Sequence, residues 1–217
     1  MLLFLVLACA DPTADKPKAE LLPPSAPVQP VAAPAAPLQN PAAAPGTTAP
    51  ANLRAVALSG TVGFTGAKIT KSHEGRFNSW KGEAQFDGNT LVGLRFTVQT
   101  SSVQTDSPKL DTHLASEDFF NSAAFPEATF VSSSVTAGAA ADAGLPGATH
   151  TVEGELTLHN VKKQLRFPVV IEQTPTGIKA RTEFSINRKD FGIVYPGRPD
   201  DLIREDVLLK VDIATGS

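Results

Sequence analysis

The chain has 217 residues and a formal net charge of −3, from 19 Lys and Arg against 22 Asp and Glu. The cations are scattered rather than clustered, which argues against a nucleic-acid footprint. A lone cysteine excludes an internal disulfide, so any core must stand on packing.

The first segment, Met1 to Cys9, is a short apolar run ending in Ala8 and Cys9. It is too short to span a bilayer and has the form of a signal-peptide core, assigned to residues 1–8. Val6-Leu7-Ala8-Cys9 resembles the lipobox of bacterial lipoproteins, in which the cysteine becomes the acylated first residue of the mature chain. That resemblance implies lipidation at Cys9, an envelope location facing the periplasm and, with Ala10 rather than Asp after the cysteine, the outer membrane. Eleven of the 18 prolines then fall between Pro12 and Pro50, interleaved with alanine. Residues 10–52 have no apolar period and no aromatic side chain, too little to offset the ordering entropy, and read as a disordered tether. Fully extended at about 3.1 Å per residue, such a tether reaches ~120 Å.

Residues 53–217 hold the only Trp, the only Tyr and all but one of the 12 Phe. A unit of this size buries about 70% of its unfolded surface without disulfide or metal. Its dominant pattern is alternation of apolar and polar residues, the period of a half-buried strand. Val56, Leu58, Val62 and Phe64 share one face. Trp80, Gly82, Ala84 and Phe86 form a second set, and Val92, Leu94, Phe96 and Val98 a third. Ser107 and Pro108 mark a helix start, and Ser116-Glu117-Asp118 a second start before Phe119-Phe120, so a short helical segment is expected around 108–121. Ala128 to Val135 is a less regular strand, and Ala137 to Thr149 reads as a flexible, glycine-rich loop. Val152 to Leu158, Leu165 to Ile171, Ile178 to Ile186 and Val207 to Ile213 complete the set. About eight amphipathic strands with turn signals between them (Asp87-Gly88-Asn89, His159-Asn160, Thr174 to Gly177) predict a mainly β fold, an eight-stranded antiparallel barrel whose closure removes exposed edges.

Three blocks carry a family resemblance. They are Asp111-Thr-His113-Leu114-Ala-Ser116-Glu-Asp118-Phe119-Phe120 with Phe125-Pro126-Glu-Ala-Thr129-Phe130; Gly154-Glu-Leu156-Thr-Leu158-His159-Asn160-Val161-Lys162-Lys163; and Ile186-Asn187-Arg188-Lys-Asp190-Phe191-Gly192. In order and spacing they resemble the YceI family. Phe125 replaces a commoner Tyr and Asn160 a commoner Gly, though Asn tolerates the left-handed turn a Gly would adopt. The resemblance implies a lipocalin-like barrel of the cell envelope, without an established reaction, that encloses a polyprenyl or quinone-like lipid. The expected partners are accordingly a long-chain lipid, the membrane reached through the anchor and, as an assembly, a homodimer.

On this reading the side chains expected to line a lipid cavity are Phe64, Phe77, Trp80, Phe86, Leu94, Phe96, Phe119, Phe120, Phe130, Leu158, Phe167, Phe184, Ile186 and Phe191. Their alternation assigns them inward but does not separate cavity wall from core filling. Polar candidates at a mouth are Asp111, His113, Asn187, Arg188 and Asp190. Asp111, His113 and Asp118 could serve acid–base chemistry, but no nucleophile motif accompanies them, and bracing of the helical link is the preferred role. Arg188 suits either a turn network, the commoner use, or a lipid head group such as a pyrophosphate. The four histidines lack metal-ligand spacing, so neither a metal nor a cofactor is expected beyond a bound polyprenyl or quinone-like lipid. The function expected is non-catalytic lipid carriage. An unliganded structural or stress-response module and an enzyme acting on a small lipid are the alternatives.

Overall fold

The computed structural model describes residues 11–23, 53–138, 144–174 and 177–216. The signal segment, Cys9, most of the proline-rich stretch and parts of two expected turns lie outside these residues.

In chain order the elements are β1 (Glu20–Leu22), β2 (Leu53–Ala67), β3 (Ser72–Phe77), β4 (Trp80–Asp87), β5 (Thr90–Gln99), β6 (Val103–Thr105), α1 (Pro108–Ala115), β7 (Glu127–Ala137), β8 (His150–Leu158), β9 (Val161–Thr174), β10 (Gly177–Asn187), β11 (Gly197–Arg198), β12 (Asp201–Leu202) and β13 (Asp206–Thr215), with a 3₁₀ turn at Arg188–Phe191. Eight of these close a ring in the order β13-β10-β9-β8-β7-β5-β4-β2, and β2 pairs back onto β13. Every pairing around the ring is antiparallel, and β3 and β6 extend the wall beyond β4 and β5 at one end.

The long strand β2 serves two neighbours on one edge. Leu53 to Ala57 pair with β4, and Gly63 to Ala67 pair with β3. Between them Gly60 has φ +131, and a Cβ there would stand 2.2 Å from the Asp212 carbonyl oxygen. Only glycine allows the strand to bend at this close approach. The β8–β9 hairpin turns on His159 (φ 50) and Asn160 (φ 59), the pair of positive angles that a two-residue turn matched to strand twist requires.

Alternation places the expected inward faces correctly except where a bulge intervenes. Ala84 pairs with Leu94 and Phe86 with Leu91, so Val92 has no partner. The extra residue turns Val92 outward, 39% exposed, and buries Leu91 in its place. A second bulge, where Ser132 and Ser134 pair with the consecutive residues Gly154 and Glu153, accounts for the untidy pattern of β7.

Three further expectations are corrected. The helix ends at Ala115 rather than near residue 121, and Ser107 makes no side-chain cap. Residues 116–121 instead fold as turns, with the Phe120 and Asn121 N–H groups donating to Leu114 and Ser116 carbonyls. The Ala137–Thr149 loop is packed over its last part: Leu145 is buried, and the Thr149 hydroxyl accepts the Ile171 N–H at 2.8 Å.

The disordered tether expected from residue 10 does not describe residues 11–23, which are fastened to the barrel wall. The β9–β10 ladder stops at Val170–Arg181. Two residues along, Pro168 has no N–H to offer, and its carbonyl is met by the Thr182 hydroxyl at 2.6 Å. The two strands part beyond that point, and the N-terminal segment fills the gap. Glu20, Leu21 and Leu22 pair with Arg166, Leu165 and Gln164 of β9. On the other side Ser185 of β10 donates its N–H to Pro17 O (2.8 Å) and accepts the Ala19 N–H (2.9 Å). Ion pairs Lys16–Glu183, Lys18–Asp206, Glu20–Arg166 and Asp11–Arg204 flank the seam. Exposed pairs of this kind contribute little individually; the backbone bonds and the buried Ala19 methyl define the position.

Candidate ligand cavity

At the end carrying the β4–β5 and β9–β10 turns, packed side chains stand behind a polar hollow of about 490 Å³ bordered by Arg54, Asn89, His150 and Gln173, and the apolar interior opens toward the other end. Phe86, Val152 and Ile178 are almost completely buried and form the packed part. Beyond them lies a chamber of about 130 Å³, lined by Leu94, Phe96, Phe130, Phe167, Phe184 and Ile213 among others, to which no polar atom is exposed. Its wall is fixed by aromatic contacts. The Phe167 and Phe184 rings stack at 4.1 Å, and Phe130 tilts against Phe167 at 5.5 Å. Such pairs contribute about 0.5–1.5 kcal/mol each beyond the area they bury.

A second, outer chamber of about 560 Å³ continues toward the open end. Val62, Val98, Ala128, Leu156 and Leu209 line both chambers and form the neck between them. Phe64, Phe77, Phe119, Phe120, Leu158 and Ile186 line the outer chamber, together with Leu114, Ile193, Tyr195, Ile203 and Val207. Phe64, Phe77 and Phe120 form one cluster with centroids 5.6–6.4 Å apart. The short helix α1 buries Leu114 toward this cluster, and the β11–β12 hairpin stands beside it.

Polar groups collect at the outer end: Lys68, His73, Lys109, His113, Arg188, Arg198 and Asp201 border the chamber. Arg188 is the most constrained. It is only 4% exposed and donates to the carbonyls of Ile193 (2.7 Å), Arg204 (3.0 Å) and Ile203 (3.3 Å). Burial draws its pKa below the ordinary guanidinium value, and Glu205 opposes that shift. The turn-network role expected of Arg188 is thus the one its contacts show, on the cavity border. Lys68 pairs with Asp201, and this bond holds the Asp201 carboxyl below its usual range.

The remaining sequence candidates divide. Trp80 does not reach the cavity but backs Phe96, 6.1 Å away. Phe86 belongs to the packed end, where the Arg54 guanidinium lies 5.1 Å from its ring centroid. Phe191 is wholly buried in the core, and its carbonyl stands 3.2 Å from His159 Nδ1. Asn187 caps the 3₁₀ turn by accepting the Lys189 N–H. Neither Asn187 nor Asp190 borders the cavity. Asp111 and His113 do not meet. Two residues apart on a helix, they point in different directions. Asp111 accepts the Thr105 N–H (2.7 Å) and hydroxyl (2.6 Å), tying α1 to β6. His113 Nε2 instead lies 2.9 Å from Asp118 Oδ2, with its ring edge-on to Phe119 and Tyr195. The bracing role anticipated for both residues describes these contacts. Tyr195, Ile193 and Ile203 escaped the sequence reading because they lie in the irregular stretch after β10, where no period marks an inward face.

A closed antiparallel barrel with a two-chamber, carbon-lined interior and polar groups at one end defines a lipocalin-like barrel. The chain belongs to the YceI family: the model of the YceI-like domain matches residues 55–215. It is similar to an UPF0312 protein of Pseudomonas syringae pv. tomato, 32% identical over 148 residues covering 63% of this chain and 71% of that one. An UPF0312 protein of Shewanella denitrificans is 36% identical over 133 residues, covering 55% and 63% of the two chains. Among solved structures, Burkholderia cenocepacia BcnA matches with a TM-score of 0.58 at 21% identity, over 71% of this chain and 96% of that one. A polyisoprenoid binding domain from Saccharophagus degradans matches at 0.58 and 17% identity, over 76% of this chain and all of that one.

Proposed function

We propose that the barrel is a non-catalytic carrier of an isoprenoid or similar long-chain lipid in the bacterial cell envelope. The observation that carries this reading is the continuity of the two chambers through an apolar neck, with charged groups collected at the outer end and, of the inner lining, only Arg181 charged and presenting no polar atom. At about 30 Å³ per small group, the space takes on the order of twenty methylene-sized groups, the size of a short prenyl tail. Each methylene buried contributes about 0.8 kcal/mol before the costs of binding, so such a tail needs no polar contact to be held. A head group then rests near Arg188, Lys68 and His113. The polyisoprenoid-binding description of the Saccharophagus neighbour supports the same ligand class. A dry barrel filled by its own phenylalanines, the rival expectation, does not match the open volume.

Solvent extraction of the purified full chain followed by mass spectrometry tests the proposal, alongside uptake of C15–C20 prenols and quinones. A co-purified or saturably bound lipid is the expected result; neither co-purification nor uptake would overturn it. In the same reading Cys9 is acylated and holds the protein at a membrane. Cys9→Ser then moves the protein from the membrane to the soluble fraction, and unchanged fractionation refutes the anchor.

A further inference from the structure

We infer that the open end of the barrel is a membrane-docking surface, which lays the cavity mouth directly on an anionic bilayer. Among the described residues, seven large apolar side chains are exposed, and three of them flank the mouth: Ile69, Val194 and Leu202, at 50%, 62% and 45%. Each is next in sequence to residues that line the outer chamber, and the Ile69 N–H donates to the Leu202 carbonyl, so these two sit side by side. The other four are spread over β1, β2, β5 and β7. Exposed apolar side chains beside cations are the arrangement that inserts into the head-group region.

Charge favours the same partner. The outer chamber is bordered by four cationic side chains, Lys68, Lys109, Arg188 and Arg198, against one carboxylate, Asp201, in a chain whose net charge is −3. Of the acids just outside, Asp106 pairs with His73 and Lys71 and Asp118 with His113, while Asp200 in the β11–β12 turn is exposed and makes no ion pair among the described residues. Arg188 is buried and Lys68 is paired with Asp201, so the surface cations are Lys109 and Arg198, each favourable by about 1 kcal/mol near an anionic surface.

The seam supplies an independent constraint. Asp11 is held by Arg204 at 2.7 Å, next to Ile203 of the mouth. Asp11, the first described residue, is thus fastened to a residue that adjoins the mouth. Docking rests on the lipid-carrying reading only for its purpose, which is to let a ligand pass between bilayer and cavity without crossing water.

The test uses the full chain with Cys9→Ser, which removes the one cysteine, and single labelling sites at Val194→Cys, Leu202→Cys or Asn89→Cys carrying a polarity-sensitive dye. Asn89 lies in the β4–β5 turn at the opposite end. Vesicles of phosphatidylglycerol and phosphatidylethanolamine are expected to blue-shift the two mouth labels and leave the Asn89 site unchanged. Adding Lys109→Glu with Arg198→Glu is expected to weaken vesicle affinity at least tenfold at low salt. The N-terminal apolar run is common to all three labelled proteins and cannot create a difference between ends. No shift at the mouth, or an equal or larger shift at the Asn89 site, overturns the proposal. A mouth shift without lipid uptake would refute the carrier reading and leave docking intact, and the converse result would do the opposite.

Discussion

The neck between the two chambers permits a quantitative test of how the cavity is used. Ala128 lines both chambers, and Ala128→Phe places a ring in the passage without removing any existing contact. Overpacking a filled core costs about 1–3 kcal/mol, but here the ring enters open space, so stability should stay within about 1 kcal/mol of the parent. The consequence falls on long ligands. The inner chamber of about 130 Å³ admits roughly four methylene-sized groups at ~30 Å³ each. At about 0.8 kcal/mol per group, excluding them forfeits about 3 kcal/mol, or roughly a hundredfold in Kd. A series of prenols of increasing length, titrated by fluorescence of the single Trp80 beside Phe96, reads this directly. Short prenols should bind both proteins equally, and the gain with length should stop early in the variant. If the longest prenol binds both with the same affinity, the tail does not occupy the inner chamber.

Three further outcomes are expected. Arg188→Met leaves three carbonyls without donors at a 4% exposed position and should cost about 3 kcal/mol in urea unfolding. Ala19→Pro removes the N–H that Ser185 accepts, at a cost of about 1–2 kcal/mol, and should make the Glu20–Leu21 bond cleavable by a glutamyl endopeptidase well before the barrel is. His150 is partly buried, and desolvation lowers its pKa. The unfolded chain therefore binds the proton more readily, and stability must fall as pH drops below about 6.5. His150→Gln should flatten that slope between pH 8 and 5.5, while the loss below about pH 4.5, where Asp11, Asp106, Asp201 and Glu205 with their lowered pKa values protonate, stays unchanged.

The ring of eight strands was legible because alternation is a local consequence of pleating, and it survives in any strand with one wet face. It fails where registry changes. Nothing in Thr90 to Leu94 signals that Val92 rather than Leu91 will be the unpaired residue, since that is decided across the β4–β5 ladder. Cavity residues on regular strands, such as Phe96, Phe167 and Phe184, could be read from sequence as inward. Whether they leave space depends on ring orientations that no period encodes. The N-terminal segment was opaque for a different reason. Pro17-Lys18-Ala19-Glu20-Leu21-Leu22 has a single buried methyl and no apolar face of its own, and its place is created by Pro168 far along the chain.

That seam also orders events in time. The slot between β9 and β10 does not exist until residues 161–187 have been made, yet its occupant precedes every strand of the ring. The ion pair between Glu20 and Arg166 spans 146 positions, and that between Asp11 and Arg204 spans 193. Contacts so distant in sequence are the slowest to form, so residues 11–22, made before the strands that hold them, are among the last to find their place. Until they do, the facing edges of β9 and β10 stay unsatisfied and offer themselves to any passing strand. Seating the N-terminus is the step that takes the nascent barrel out of reach of aggregation.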